Sequence, residues 1–293
     1  MRRVLIPLIS IFAIISCAED SENGGDNVEN PYIAKVYDFQ PAPGQYVNTL
    51  PAYTEGESKE DILAKIEAGF AGTGSGTMIS LGGFGGYVVF GFEQSVINRD
   101  GLCDLRIYGN AFDNSHEPGI VMVSRDDNAN GIPDDTWYEI KGSDHDNDST
   151  IAPYSITYIS DGTTSIAWSD SEGDSGTVTA KFPGWISDSE LTFTGTRLAD
   201  IYTEDDSYWS ATALSYGYVD NQTNSSDRSA IDIGWAVDSQ GNPANLESID
   251  FVKVYNSQRQ VAGTLGEVST EVAGAEDLHI LGTEIYSSSV MAE

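Results

Sequence analysis

The 293-residue chain has only two cysteines, Cys17 and Cys103, three histidines and 14 Lys+Arg against 46 Asp+Glu. Two cysteines cannot form a disulfide framework or a multi-thiolate zinc site. A formal net charge of -32 repels phosphate, so the chain is not built to bind nucleic acid or an anionic membrane surface by charge. His116, His145 and His279 are scattered, with no zinc-protease spacing, and no G-x-S-x-G elbow is present. No apolar run approaches the roughly 20 residues that a spanning helix needs. With 40% hydrophobic residues, however, the chain can bury a core and is not disordered as a whole.

The N-terminus reads as a processing segment. Met1-Arg2-Arg3 is a basic start, Val4–Ile15 is apolar apart from Pro7 and Ser10, and the stretch ends Ile14-Ile15-Ser16-Cys17. That ending resembles a bacterial lipobox. The resemblance implies cleavage after residue 16, lipidation of Cys17, and attachment to the membrane through the lipid alone. Residues 17–33 run from Cys17 into Ala18-Glu19-Asp20-Ser21-Glu22 and continue Gly/Asn/Asp-rich, the composition of a flexible acidic tether. An acidic run directly after the lipid cysteine resembles the surface-export signal of Bacteroidetes lipoproteins, which places the chain at the outer membrane on the cell surface. Residues 34–293 then read as a single module. Cys103 reads as a small buried residue.

One helix is expected early. Ser58 with Asp61 forms a capping box, Ile62, Leu63, Ile66 and Phe70 recur at helical spacing, and Gly69 and Gly72 close the segment. After residue 76 the chain is a succession of short runs rich in Val, Ile, Tyr and Trp. They fall at 86–92, 105–108, 119–124, 136–140, 155–159, 165–168, 177–182, 191–194, 213–219, 230–237 and 248–255. Gly, Asn and Asp punctuate them at the interval of a sandwich or barrel. Ile231, Ile233 and Trp235 alternate with Asp232, Gly234 and Ala236, as in a half-buried strand. The expected fold is an all-β antiparallel sandwich of jelly-roll type with one short N-terminal helix. The run Gly82-Gly83-Phe84-Gly85-Gly86 precedes a strand and lacks a P-loop lysine, so it reads as a close-packed turn.

The sharpest chemical motif is D-x-N-x-N-G-x-x-D from Asp126. Asp126, Asn128, Asn130 and Asp134 stand at loop positions 1, 3, 5 and 9, Gly131 at 6, and the Ile132 carbonyl at 7. Calcium takes six to eight hard oxygens, and alternate residues of a tight loop supply them. Trp137 occupies position 12, where a bidentate Glu would complete a helix-loop-helix hand. A structural calcium ion in a loop between strands, its shell completed by Asp135 or Glu139, is therefore expected. The neighbouring Asp144–Asp148 cluster matches no metal template and reads as a solvated loop. Tyr202, Tyr208, Trp209, Tyr216 and Tyr218, mixed with Asp, Ser and Asn, are the candidate ligand-binding aromatics, suited to stacking on a sugar ring or a flat macrocycle. Among so many acids a glycosidase pair is not legible, because it is defined by a distance in space.

Several blocks in order resemble one known family. They are Ser80–Phe92 (SLGGFGGYVVFGF), Asn98–Gly101, Gly109–Phe112, Glu117–Ser124 (EPGIVMVS) and the Asp126 loop. Thr194–Leu198, Tyr216–Asn221 (YGYVDN), Ile231–Asp238, Ile249–Tyr255, Leu265–Glu271 (LGEVSTE) and Gly274–His279 follow. Together they resemble the Bacteroidetes "cell surface protein" lipoproteins, some of which carry PKD-like domains, over about residues 34–279. Such proteins are often encoded beside TonB-dependent receptors, including cobalamin-uptake ones. The resemblance implies a surface module that captures a small ligand, with a corrinoid as the specific candidate, for a TonB-dependent receptor; its stabilisation by calcium is the expectation from the Asp126 loop. It supplies no ligand-contacting residue. A glycan-binding or adhesion module is the alternative, and a glycoside hydrolase the second.

Overall fold

The capping box at Ser58 works as its residues dictate. In the computed structural model, which describes residues 29–71, 77–206 and 208–292, the Asp61 N–H donates to Ser58 Oγ and the Ser58 N–H to Asp61 Oδ2, at 3.3 and 2.9 Å. Helix α1 (Lys59–Phe70) follows and buries Ile62, Ile66 and Phe70. The leader, Cys17 and most of the tether lie outside the described residues. At the tether's end, Tyr32 pairs with Glu276 and Ile33 is enclosed, so the folded part begins slightly before residue 34.

The strands in chain order are β1 (Lys35–Gln40), β2 (Ile79–Ser80), β3 (Tyr87–Ile97), β4 (Leu105–Tyr108), β5 (Gly119–Ser124) and β6 (Trp137–Ile140). Then come β7 (Ile151–Ile159), β8 (Ser165–Asp170), β9 (Ser175–Thr179), β10 (Glu190–Arg197), β11 (Tyr202–Asp205) and β12 (Tyr208–Ala211). The last are β13 (Tyr218–Val219), β14 (Ala230–Ile231), β15 (Ala236–Val237), β16 (Ser248–Asn256), β17 (Glu271–Val272) and β18 (Gly274–Asp277). Every pairing is antiparallel.

The chain is an all-β sandwich. Its main sheet runs β1-β3-β16-β5-β6-β15, with β13 also on β5. Alternation along these strands sends Val88 and Phe90, Val121 and Val123, and Val252 and Val254 to one face. There they pack against Leu105 and Ile107 of β4, Ile231 of β14, Ala275 of β18 and the apolar stripe of α1. Burying a side chain of this size contributes roughly 1.5–3 kcal/mol, so this layer contact dominates the fold. The opposite face of the main sheet is partly covered by a second sheet, β10-β7-β8-β9, with its own core around Phe84, Tyr154, Tyr158 and Phe193. The two sheets close together at Gly195, where a Cβ would meet the Tyr255 ring at 2.8 Å.

Two expectations are corrected. Residues 230–237 do not form one strand, because the Asp232 side chain accepts the Gly234 N–H and turns Ile233–Trp235 into a 3₁₀ turn between β14 and β15. A second short helix, α2 (Ser287–Met291), follows the last strand. Cys103 is fully buried, and burial pushes its thiol up to about 12. Among the described residues, no helix is long and apolar enough to cross a membrane.

Candidate functional site

The Asp126 loop joins the end of β5 to the start of β6, and its side-chain oxygens turn inward as the spacing requires. Asp126 accepts the Asn130 N–H on Oδ1 (3.0 Å) and the Gly131 N–H on Oδ2 (2.7 Å). Asn128 Oδ1 also accepts the Asn130 N–H, and Asn130 Oδ1 accepts the Ile132 N–H. Each amide fixes one lone pair of its oxygen and leaves another for a cation. Gly131 has φ +71°, the left-handed region that lets the chain reverse there. Asp134 lies against Asn128 and Asn130 at 3.2 Å, and Asp135 closes on Asn128 at 3.4 Å. Asp135 Oδ2 is buried without a partner. The loop is anchored to β16 by the Asp126 N–H, which donates to Asp250 Oδ2 (2.7 Å).

Five of the six expected ligands thus lie in one hydrogen-bonded turn: Asp126, Asn128, Asn130, Asp134 and Asp135, with the Asn128 and Asn130 side-chain amides donating to Asp134, while the three carboxylates do not all lie within 4.8 Å of one another. Ile132 sits in the same turn with its side chain exposed, as expected of a backbone ligand. Glu139, the other residue considered for the shell, belongs elsewhere. Its carboxylate accepts Tyr255 Oη (2.7 Å) and Thr196 Oγ1 (2.7 Å) and contacts His145 Nε2 (2.9 Å). Burial would raise its pKa, but the His145 contact and the hydroxyl donors outweigh burial and hold it below the ordinary carboxylate range. His145 is therefore no solvated-loop residue: its ring stacks on Tyr218 at 5.8 Å and ties the Asp144–Asp148 turn to the sheet.

The Glu139 network floors a cleft of ≈ 510 Å³ between the two sheets. Met122, Trp137 and Pro153 supply its apolar wall, and Thr196, His145 and the Asp238–Gly241 turn its polar groups. Trp137 is the first residue of β6, so the Asp126 loop sets where its ring enters the cleft.

The candidate aromatics do not form one face. Tyr218 is 1% exposed and lies in the core. Tyr216 packs on Trp235 at 5.0 Å. Tyr202 and Trp209, on paired β11 and β12, share a small cluster with Ala262 and Val268. Tyr208 alone is well exposed, at 63%. The five candidates therefore do not share one stacking face. The hairpin pairing, Tyr202 opposite Ala211 and Glu204 opposite Trp209, accounts for the density of aromatics there.

Tyr202 does line a second pocket, of ≈ 380 Å³, which sequence reasoning missed. Glu117, Glu267 and Glu271 also line it. Carboxylate oxygens of Glu117, Asp220 and Glu271 all lie within 4.8 Å of one another. Asp220 (2% exposed) accepts the Asn110 N–H on Oδ1 at 2.6 Å and the Glu271 N–H on Oδ2 at 2.9 Å, and its own φ is +56°. Burial, with the nearby Glu117 charge, pushes Asp220 up to about 8. Burial likewise raises Glu271, helped by the charges of Glu117 and Asp220, and raises Glu117, helped by Glu267. Glu117 and Glu271 are hydrogen-bonded to each other, whereas glycosidase carboxyls stand roughly 5–9.5 Å apart around a sugar bond. In sequence the four acids fall in the segments EPG, YGYVDN and LGEVSTE, none of which has a metal-ligand spacing of its own. A scan against family models and a search of curated proteins find no match to this chain.

Proposed function

We propose that the protein is a calcium-stabilised binding module, held at the outer cell surface by a lipid on Cys17, that captures a small ligand in the cleft beside Trp137. The observation that carries the reading is the convergence of Asp126, Asn128, Asn130, Asp134 and Asp135 in a loop that leads directly into that cleft. A cation here would tie β5 to β6 and fix the Trp137 ring, while Thr196 Oγ1, which gives its proton to Glu139, offers a hydrogen-bond acceptor beneath it. A pocket with an apolar wall and few polar groups suits a ligand that presents a flat apolar face with a polar rim. A corrinoid meets that description, and handover to a TonB-dependent receptor follows from the resemblance.

Calcium removal tests the first half. Stripping metal with EDTA is expected to lower the melting temperature, by the roughly 5–15 °C that about 2–4 kcal/mol of ligand stabilisation represents. Asp126→Ala should show a smaller drop on the same treatment. An unchanged melt in a stripped wild-type sample would sink the calcium reading.

The second half is tested by titrating cyanocobalamin calorimetrically into the full-length protein in millimolar calcium. Saturable binding is expected, weakened at least tenfold in Trp137→Ala, a truncation of the kind that removes 2 kcal/mol or more at a central aromatic contact. Absence of both heat and a spectral change rejects the corrinoid.

A further inference from the structure

The four acids at or next to the second pocket come from separate places in the chain: Glu117 just before β5, Asp220 just after β13, Glu267 before β17 and Glu271 at its start. Nothing in the calcium-loop reading uses them. Such a gathering of carboxylates in a low-dielectric site repels itself unless protons or a cation intervene. Among the described residues no lysine, arginine or histidine lies within salt-bridge distance of any of the four.

Two features set the cluster apart from a solvated acidic patch. Asp220 is held rigidly: amides of Asn110 and Glu271 occupy one lone pair on each oxygen, and a Cβ at Gly109 would collide with its side chain, so the backbone is shaped around this carboxylate. Amide donors of this kind favour an ionised acceptor, which burial and the neighbouring Glu117 charge oppose in the metal-free chain. Independently, Glu267, on the wall of the same pocket, is only 8% exposed, yet its Oε2 has no hydrogen-bond partner, although Oε1 accepts the Gln45 N–H. A buried carboxylate oxygen without a hydrogen-bond partner, on a pocket wall shared with Glu117 and Glu271, is costly as it stands and is accounted for by a cation.

We propose that Glu117, Asp220 and Glu271, with Glu267 on the same pocket wall, form a second calcium site, separate from the Asp126 loop. The donor set is entirely oxygen, with neither imidazole nor thiolate, which selects a hard cation. Calcium is favoured over magnesium because it accepts many carboxylate oxygens in flexible geometry, whereas magnesium retains several waters in a near-octahedral shell. Ser269 supports the site from beneath: its N–H donates to Glu117 Oε1 (3.0 Å), and its hydroxyl meets Ser80 Oγ (2.8 Å).

The test counts metal ions per chain in the full-length protein after stripping, reloading with calcium and removal of free metal. Two ions are expected in the wild type, one in Glu271→Gln and one in Asp126→Ala. A folded Glu271→Gln that retains the wild-type count overturns the second site. Loss of an ion only in Glu271→Gln, with Asp126→Ala unchanged, overturns the loop reading and leaves this one standing. Should Glu271→Gln fail to fold, Glu267→Gln decides: calcium affinity for the weaker-binding mutant site is expected to fall about tenfold to a hundredfold. Two calcium affinities identical to wild type in that variant reject the proposal.

Discussion

Metal-free protein is expected to melt at a markedly higher temperature at pH 5 than at pH 8. Asp220 is surrounded by Glu117, Glu271 and the buried wall of the second pocket, and burial raises it to about 8 in the folded chain. Glu271 and Glu117 are raised for the same reason, and Asp104, buried beside His279, is raised to about 6. A carboxyl whose pKa is higher folded than unfolded binds its proton more tightly in the native state. Its stabilising contribution is complete below the unfolded value, near 4, and is lost as pH rises through the folded value. The window set by Asp220 therefore spans about pH 4 to 8. At 1.36 kcal/mol per unit, the interval from pH 5 to 8 is worth on the order of 3–4 kcal/mol from Asp220 alone. For a chain of this size that is roughly 10 °C. Groups of opposite sign, such as Glu139 and Asp170, whose folded values are lowered, give up stability only under more acidic conditions. Calcium should flatten the slope, because a bound cation favours the ionised carboxylates that alkaline pH produces. The measurement is a series of thermal melts of stripped protein from pH 5 to 8, with and without calcium. A melting temperature that is level or rises towards pH 8 without metal contradicts the buried-carboxyl account.

The parts of this molecule legible in its sequence are those encoded by contiguous residues. Helix α1 needed only Ser58, Asp61 and the spacing of Ile62, Ile66 and Phe70. Strands at 105–108 and 119–124 begin and end where their apolar runs do. The Asp126 loop was readable because its candidate ligands lie within ten consecutive positions of one turn. β1 was missed because Lys35, Asp38 and Gln40 break its apolar run, although Val36 and Phe39 are buried by a register shift between Val36 and Asp38. The Ile231–Trp235 alternation misled because period two says nothing of a side chain such as Asp232 that captures the backbone two residues on. Tyr202–Tyr218 drew attention as a dense aromatic segment, but a hairpin and a core strand divide it. The buried acids could not be found, since 46 Asp+Glu offer no means of choosing four that meet only through the topology.

Gly86→Ala is expected to cost about 3–5 kcal/mol, a large part of the 5–15 kcal/mol on which a domain typically stands. Gly86 ends the turn that delivers the chain into β3, in the interior of the main sheet. A Cβ there would overlap the Leu81 carbonyl oxygen and the Ala42 nitrogen, which are hydrogen-bonded to each other at 3.0 Å. On either side, the Gly85 N–H donates to the Asn256 carbonyl (2.8 Å), and the Asn256 N–H to the Gly86 carbonyl (3.0 Å). The added methyl cannot swing aside as a long side chain would, so either the Ala42–Leu81 bond breaks or β3 shifts against β16. The exposed Gly101, where a Cβ meets nothing within 4 Å, provides the control, and its alanine variant should lose only the roughly 1–2 kcal/mol of a left-handed residue. Urea midpoints of the two variants measure the difference, and a Gly86→Ala midpoint equal to that of Gly101→Ala would refute the close-packing argument. The same turn reaches the second pocket: the Gly82 N–H donates to Ser269 Oγ (3.0 Å), and the Ser269 N–H holds Glu117 Oε1. Displacing the glycine run should therefore disorder the Glu117 carboxylate before it disturbs the Asp126 loop, which hangs from the far end of β5 and from Asp250.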